Sequence, residues 1–131
     1  MRIGFIGLGN VGGKLANNLL NNQFDVIVLD KDTKITDEFE SNGCKISKSI
    51  EDIVEKTDII ITCLPSPKAC AEVLESEDGL IKNIRNDQIW IEMSTTDEDQ
   101  LKRHASLIES KNAIALEAPV SGGCHRAATG N

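Results

Sequence analysis

Residues 1–20 read MRIGFIGLGNVGGKLANNLL, and at their centre Gly7, Gly9 and Gly12 write Gly-x-Gly-x-x-Gly. Such spacing arises by chance and gains force when a strand leads into it and a helix leads out. Both conditions hold. Ile3, Phe5 and Ile6 form a short apolar run ending at Gly7, and Val11, Leu15 and Leu19, with Ala16 and Leu20, then recur at helical spacing. In a strand-turn-helix unit each glycine has its own task. Gly7 makes the tight turn, Gly9 lets a diphosphate approach the backbone, and Gly12 lets the helix lie close to the strand. The start of the helix then holds the anion with unpaired N–H groups and the positive end of its dipole, without any basic side chain. Leu8, Asn10 and Val11 fill the same turn and belong to the same candidate site.

The next test lies about 20 residues on. FDVIVLD, residues 24–30, reads as a second buried strand with Asp30 at its carboxyl end. A carboxylate at that place accepts hydrogen bonds from ribose hydroxyls. It would also repel the extra phosphate of NADP by about a few kcal/mol at an effective dielectric near 20. NAD is therefore the expected cofactor. NADP stays possible because Lys31 and Lys34 follow closely and soften the repulsion, although a solvated turn accounts for them more simply.

A chain of 131 residues suits one domain. With 14 Lys and Arg against 21 Asp and Glu the net charge is −7, and the basic residues form no cluster, which argues against nucleic acid or an anionic membrane as partner. The apolar stretch after Arg2 is broken by Gly4, Gly7 and Gly9, unlike a signal peptide, and no later run approaches 18 apolar residues. A soluble, cytoplasmic protein is expected, or a mitochondrial matrix protein if a eukaryotic presequence has been removed. Cys44, Cys63, Cys70 and Cys124 form no C-x-x-C pair, and only Cys124 has a histidine, His125, beside it. Reduced thiols are expected, with no metal site and no disulfide framework.

Beyond Asp30 the alternation continues. A helix from Thr36 to Asn42 ends at Gly43, CKI supplies a short third strand, and Ser49 with Asp52 forms a capping box for the next helix. DIIITCLP is a strand apolar on both faces, ended by Pro65 and Pro67 before a helix from about Lys68 to Glu75. Gly79 starts a short helix to Ile84, QIWIEMS is the fifth strand, Thr96 with Asp99 caps a helix striped by Leu101, Ala105 and Ile108, and AIALEAPV is the sixth strand. His104 falls on the polar side of that helix. The pattern predicts an α/β fold: a Rossmann-type, doubly wound, mostly parallel six-stranded sheet with helices on both faces. Residues 1–120 make the dinucleotide-binding domain, and 121–131 a separate segment ending in an exposed, loosely held tail that carries His125 and Arg126.

In an open sheet of this kind, ligands gather beyond the carboxyl ends of the strands. After the fourth strand, Leu64 and Pro65 offer an apolar wall. After the fifth, Ser94 or Thr95 offers a hydroxyl and a backbone N–H. After the sixth, Ser121 offers a hydroxyl donor, and Gly122 and Gly123 let backbone N–H groups converge on a carboxylate.

GFIGLGNVG, CLP, MSTT and EAPVSGG together resemble, in order and spacing across essentially the whole chain, the amino-terminal half of the β-hydroxyacid dehydrogenase family, 3-hydroxyisobutyrate dehydrogenase-like proteins among them. The resemblance implies that Gly7 to Gly12, Asp30, Leu64, Pro65 and Thr95 hold NAD(P), that Ser121, Gly122 and Gly123 hold a small carboxylic acid substrate, and that hydride passes between the two. It departs at Arg126, which stands ahead of Ala127 where the family has a further glycine. The family's acid/base lysine and its helical, dimer-forming domain lie beyond the motif that ends at Gly123, so the catalytic residue is unknown here and a dimer is expected only with that domain. Lys68 is the one lysine near the presumed crevice, and a solvated lysine in a first helical turn explains it more simply. Two readings remain open: the cofactor-binding part of an oxidoreductase, inactive by itself, or a stand-alone dinucleotide-binding module without chemistry. A methyltransferase or a flavoprotein is a weaker third, disfavoured by CLP and PVSGG.

Overall fold

The computed structural model describes residues 1–130, along which strand and helix alternate. In chain order these are β1 (Arg2–Ile6), α1 (Gly12–Asn21), β2 (Asp25–Leu29), α2 (Thr33–Ser41), β3 (Lys45–Ile46), α3 (Ile50–Lys56), β4 (Ile59–Thr62), α4 (Pro67–Glu75), α5 (Leu80–Asn83), β5 (Ile89–Glu92), α6 (Glu98–Glu109), β6 (Ile114–Glu117) and α7 (Gly123–Thr129). The strands form one sheet in the order β3-β2-β1-β4-β5-β6. Every pairing is parallel, so the expected fold class holds and the sheet is parallel throughout the described residues.

The register is what builds a site. Ile6 lies opposite Leu29 on one side and Thr62 on the other, while Thr62 lies opposite Glu92 and Glu92 opposite Glu117. Five strands therefore finish level, and their following loops share one rim. The strand order reverses between β1 and β4, which places the crevice of a doubly wound sheet at that rim.

Alternation along the strands sorts the core into two layers. Ile3 and Phe5 pack with Val26, Val28, Ala16 and Phe39 under α1 and α2. Ile6 joins Ile27, Ile60 and Trp90 in the layer covered by α3 to α6, with Ile53, Leu74, Leu80 and Ile108. A Cβ on Gly4 would lie 2.9 Å from Ile53 Cγ1, so glycine stands in β1 where α3 presses on it. Coverage is uneven. Ile91, in the first layer, lies opposite Leu116, and Leu116 and Ile114 stay 48% and 49% exposed at the β6 edge.

Several local expectations need correction. Helix α2 starts at Thr33, before the expected Thr36, because the Asp32 side chain accepts from Lys34 N at 3.0 Å and caps it earlier. Ser49 caps α3 as expected, through Asp52 N, but Asp52 accepts from the Ser47 hydroxyl and pairs with Lys56. Helix α6 is capped by Asp97 through Gln100 N at 3.0 Å and not by Thr96, whose Oγ1 is buried without a partner. His104 is 1% exposed, not solvated, with Nε2 2.5 Å from Glu75 Oε1. The expected loose tail is helix α7, docked on α1 by the Asn18 side chain, which donates to the Ala127 carbonyl at 2.5 Å. Asn131, the last residue of the expected 121–131 segment, lies outside the described residues.

Candidate functional site

The turn after β1 shows three glycines needed for three different reasons. Gly7 has φ +96°, and a Cβ there would lie 2.3 Å from the Cys63 carbonyl oxygen, so only glycine makes this turn against the neighbouring strand's loop. A Cβ on Gly12 would lie 2.1 Å from the Gly7 carbonyl oxygen, which is how closely α1 approaches the end of β1. A Cβ on Gly9 would meet nothing within 4 Å. Gly9 is exposed and neither packed against nor twisted, and the open space beside it is what a diphosphate against the backbone requires.

Helix α1 points its start at that space. Helices α2, α3, α4 and α6 are each capped by a Ser or Asp side chain, whereas Val11 at the start of α1 makes no such bond and no acidic residue stands in the first turn. The positive end of the α1 dipole is thus left uncompensated by the protein, the condition under which a helix start binds an anion. Leu8 is 3% exposed with its side chain in the core, so its part in the turn is played by its backbone. Asn10 is exposed and Val11 half-buried beside Gly9.

Asp30 closes the same corner. Its Oδ2 accepts from Leu8 N at 2.6 Å and its Oδ1 from Asp32 N at 2.8 Å. A carboxylate offers about four lone-pair sites. One site on each oxygen remains for a pair of hydroxyls, and the bond to Leu8 ties the orientation of Asp30 to the glycine turn. Lys31 and Lys34 are exposed.

On the other side of the switch point, Leu64 is half-buried and Pro65 exposed after β4. Of the two hydroxyl residues expected at the rim after β5, Ser94 is 4% exposed and its Oγ accepts from Leu64 N at 2.7 Å, while Thr95 is exposed. Thr95, not Ser94, is therefore the hydroxyl presented at the rim. Lys68 stands exposed in the first turn of α4. Ser121 is exposed at the end of the last loop, and Gly122 and Gly123, at φ +95° and +65°, turn the chain into α7. A Cβ on Gly122 would lie 2.3 Å from Arg126 Cδ, so the stem of Arg126 lies across this turn.

Two carboxylates escape sequence reading, Glu92 buried and Glu75 exposed. Glu92 is 1% exposed at the end of β5 and accepts from Ser94 N at 2.8 Å. Glu75 binds the Arg103 guanidinium through both oxygens, at 2.6 and 2.9 Å, and receives His104 as well; Arg103 first and His104 second hold its carboxyl down at about 2. The thiols near the rim are held toward their protonated form. Burial, with Glu92 and Cys70 adding to it, pushes Cys63 up to about 11, and burial pushes Cys70 up as well. Glu75 meets Arg103 and His104 only across 28 and 29 residues of chain.

A parallel sheet in this order, a three-glycine turn under an uncapped helix start, and an acidic residue closing the second strand define a dinucleotide-binding domain. The chain belongs to the family described as the NAD binding domain of 6-phosphogluconate dehydrogenase, whose family model matches residues 2–131. Rat mitochondrial 3-hydroxyisobutyrate dehydrogenase is 37% identical over 129 residues, which is 98% of this chain and 38% of the rat protein. The solved 3-hydroxyisobutyrate dehydrogenase of Mycobacterium tuberculosis, with L-serine, superposes with a TM-score of 0.86 at 28% identity over 98% of this chain and 43% of its own. The complex of Psf3 with NADP+ and 2-OPP superposes at 0.94 with 25% identity over 98% of this chain and 45% of its own. The chain is thus an NAD-binding domain resembling that of 3-hydroxyisobutyrate dehydrogenase, and it spans less than half the length of these relatives. No helix among the described residues is long and apolar enough to cross a membrane.

Proposed function

We propose that this chain is the cofactor-binding part of an oxidoreductase that moves hydride between nicotinamide and a β-hydroxy acid or its semialdehyde, with NAD preferred over NADP. The observation that carries the reading is the contrast within the glycine turn: Gly7 and Gly12 are required by packing, whereas Gly9 faces open space under the uncapped start of α1. Nicotinamide, when bound, supplies the site that accepts or gives hydride. The turn from Gly7 to Gly12, with Leu8, Asn10 and Val11, seats the diphosphate, and Asp30 orients a ribose through its two remaining acceptor sites. Leu64 and Pro65 form an apolar wall that keeps water from the reacting face, beside the Thr95 hydroxyl. Ser121, Gly122 and Gly123 receive the substrate carboxylate, with Arg126 across the turn as a cation for it.

The preference for NAD rests on Asp30, whose anchored carboxylate cannot swing away from a phosphate on the same ribose. A reducing compartment, the cytoplasm or the mitochondrial matrix, suits the four free cysteines. A dimer belongs to this reading only with a further helical domain of the kind the family resemblance implies.

Calorimetric titration of the chain with NADH, NADPH, FAD and S-adenosylmethionine tests the proposal. NADH is expected to bind tightest. Equal binding of NADPH overturns the role of Asp30, and tighter binding of FAD or S-adenosylmethionine overturns the cofactor class.

A further inference from the structure

On the second half of the sheet, the loops after β4 and after β5 follow neighbouring strands. A dinucleotide crossing a doubly wound sheet places one mononucleotide on each half. The half built from β1, α1 and β2 has the glycine turn and Asp30, so the β4 and β5 loops face the nicotinamide half. The ladder between β4 and β5 makes its last backbone bond from Met93 N to the Thr62 carbonyl, at 2.9 Å. One residue further along, a side chain takes over: Ser94 Oγ accepts from Leu64 N at 2.7 Å.

Ser94 is itself held. Its N–H donates to Glu92 Oε1 at 2.8 Å, and both residues are buried, 4% and 1% exposed. Glu92 Oε2 has no hydrogen-bond partner. A buried carboxylate with one oxygen unmatched is a costly way to fill space, and an apolar residue of similar shape would serve a plain core better. What Glu92 does supply is an acceptor for one backbone N–H, deep enough that water cannot compete for it. That bond fixes Ser94, and Ser94 fixes the start of the neighbouring loop.

We propose that Glu92 and Ser94 are positioning residues that set the spacing between the Leu64–Pro65 wall and the Thr95 hydroxyl, and so govern how the nicotinamide half of the cofactor is received. This deepens the cofactor-site reading and rests on it. Neither residue touches the cofactor. Each acts through a loop: the Glu92 carboxylate through the Ser94 backbone, and the Ser94 hydroxyl through the Leu64 N–H. The adenosine half is seated by other elements, which make none of these bonds.

The test compares two ligands across variants of the 131-residue chain. ADP carries the adenosine and diphosphate half, and NADH carries both halves. For S94A, NADH affinity is expected to fall about tenfold, the scale of losing one buried hydrogen bond and the loop order that depends on it, while ADP affinity stays within about twofold. S94T keeps the acceptor oxygen and is expected to restore most of the NADH affinity. E92A is expected to behave as S94A does, and if it shows no cooperative melting transition, S94A and S94T decide the question alone. A plain loss of stability would lower both affinities together or neither, and either pattern overturns the positioning role. If the parent chain binds neither ADP nor NADH, the dinucleotide reading itself fails, and this inference with it.

Discussion

Gly9 and Gly12 sit three residues apart in one motif, yet the structure assigns them opposite sensitivities. In Gly12→Ala the new methyl would lie 2.1 Å from the Gly7 carbonyl oxygen, a contact that α1 relieves only by lifting off the end of β1. Overpacking of this kind costs about 1–3 kcal/mol, a sizeable part of the stability of a small domain. For a chain of this length that corresponds to a fall of about 4–12 °C in Tm. In Gly9→Ala the methyl meets nothing within 4 Å, and the backbone there does not require glycine. The substitution is expected to leave stability unchanged or to raise it by about 0.4–1 kcal/mol through the unfolded chain. Its methyl would stand between the backbone and a diphosphate. Losing one hydrogen bond to a charged group costs about 1.5–3 kcal/mol, or about a ten- to hundredfold loss in NADH affinity. Thermal melting and calorimetric titration of the two variants give four numbers, and the expected pattern is crossed: Gly9→Ala melts like the parent and binds poorly, whereas Gly12→Ala melts early. If Gly9→Ala binds NADH as the parent does, the open space beside Gly9 is not the diphosphate seat and the reasoning from the turn fails.

Other perturbations probe separate parts of the structure. Asp30→Ala removes the acceptor for Leu8 N and Asp32 N together with the charge beside the ribose; NADH binding is expected to weaken and the ratio of NADPH to NADH affinity to rise, and an unchanged ratio would remove Asp30 from cofactor choice. Glu75 is held at about 2, below the ordinary 4.5. Its pairing with Arg103 and His104 therefore contributes stability that is complete above pH 4.5 and is lost as pH falls toward 2. Glu75→Gln is expected to flatten that limb of a denaturation-midpoint profile against pH, and a limb of unchanged slope would contradict the pairing. Asn18→Ala frees α7 from α1 by removing the bond to the Ala127 carbonyl, worth about 0.5–1.5 kcal/mol. Limited proteolysis should then cut within residues 122–129 faster, with NADH binding unaltered, whereas an unchanged cleavage rate would show that the bond does not hold the helix.

What sequence could show, and what it could not, divides by the range of the interactions. The first strand, turn, helix and second strand were legible because each depends on residues within a few positions of one another: the alternation of Ile3 and Phe5 against Ile6, the stripe through Leu15 and Leu19, and glycine at fixed spacing. Helix α7 was read as a tail because Cys124, Ala127 and Ala128 offer too little apolar surface to announce a helix, and the bond that docks it comes from Asn18, 109 residues away. His104 sits three residues after Leu101 and four before Ile108, on the buried stripe, and its residue type argued for the solvent side. Only Glu75, 29 residues earlier, makes that burial tolerable. The cap of α6 was misplaced by one residue because Thr96 and Asp97 both carry capping side chains, and which one turns toward the helix is decided by the path of the loop.

The two halves of the crevice are also built from different materials. On the side proposed for the diphosphate the groups on offer are backbone: an uncapped helix start, a turn only glycine can make, and an N–H held in place by Asp30. Backbone sites of this sort tolerate no Cβ where space is short, so they leave glycines at fixed places that a sequence displays. Around the β4 and β5 loops the geometry depends on side chains bonded across the rim, Ser94 to Leu64 and Glu92 to Ser94. A hydroxyl accepting one N–H can in principle be replaced by another acceptor on a neighbouring residue, so no single spacing advertises it. Substitution of Gly9 should therefore weaken ADP and NADH binding together, whereas substitutions at Ser94 and Glu92 should act on NADH alone, shifting the spacing of the two loops while leaving the glycine turn intact.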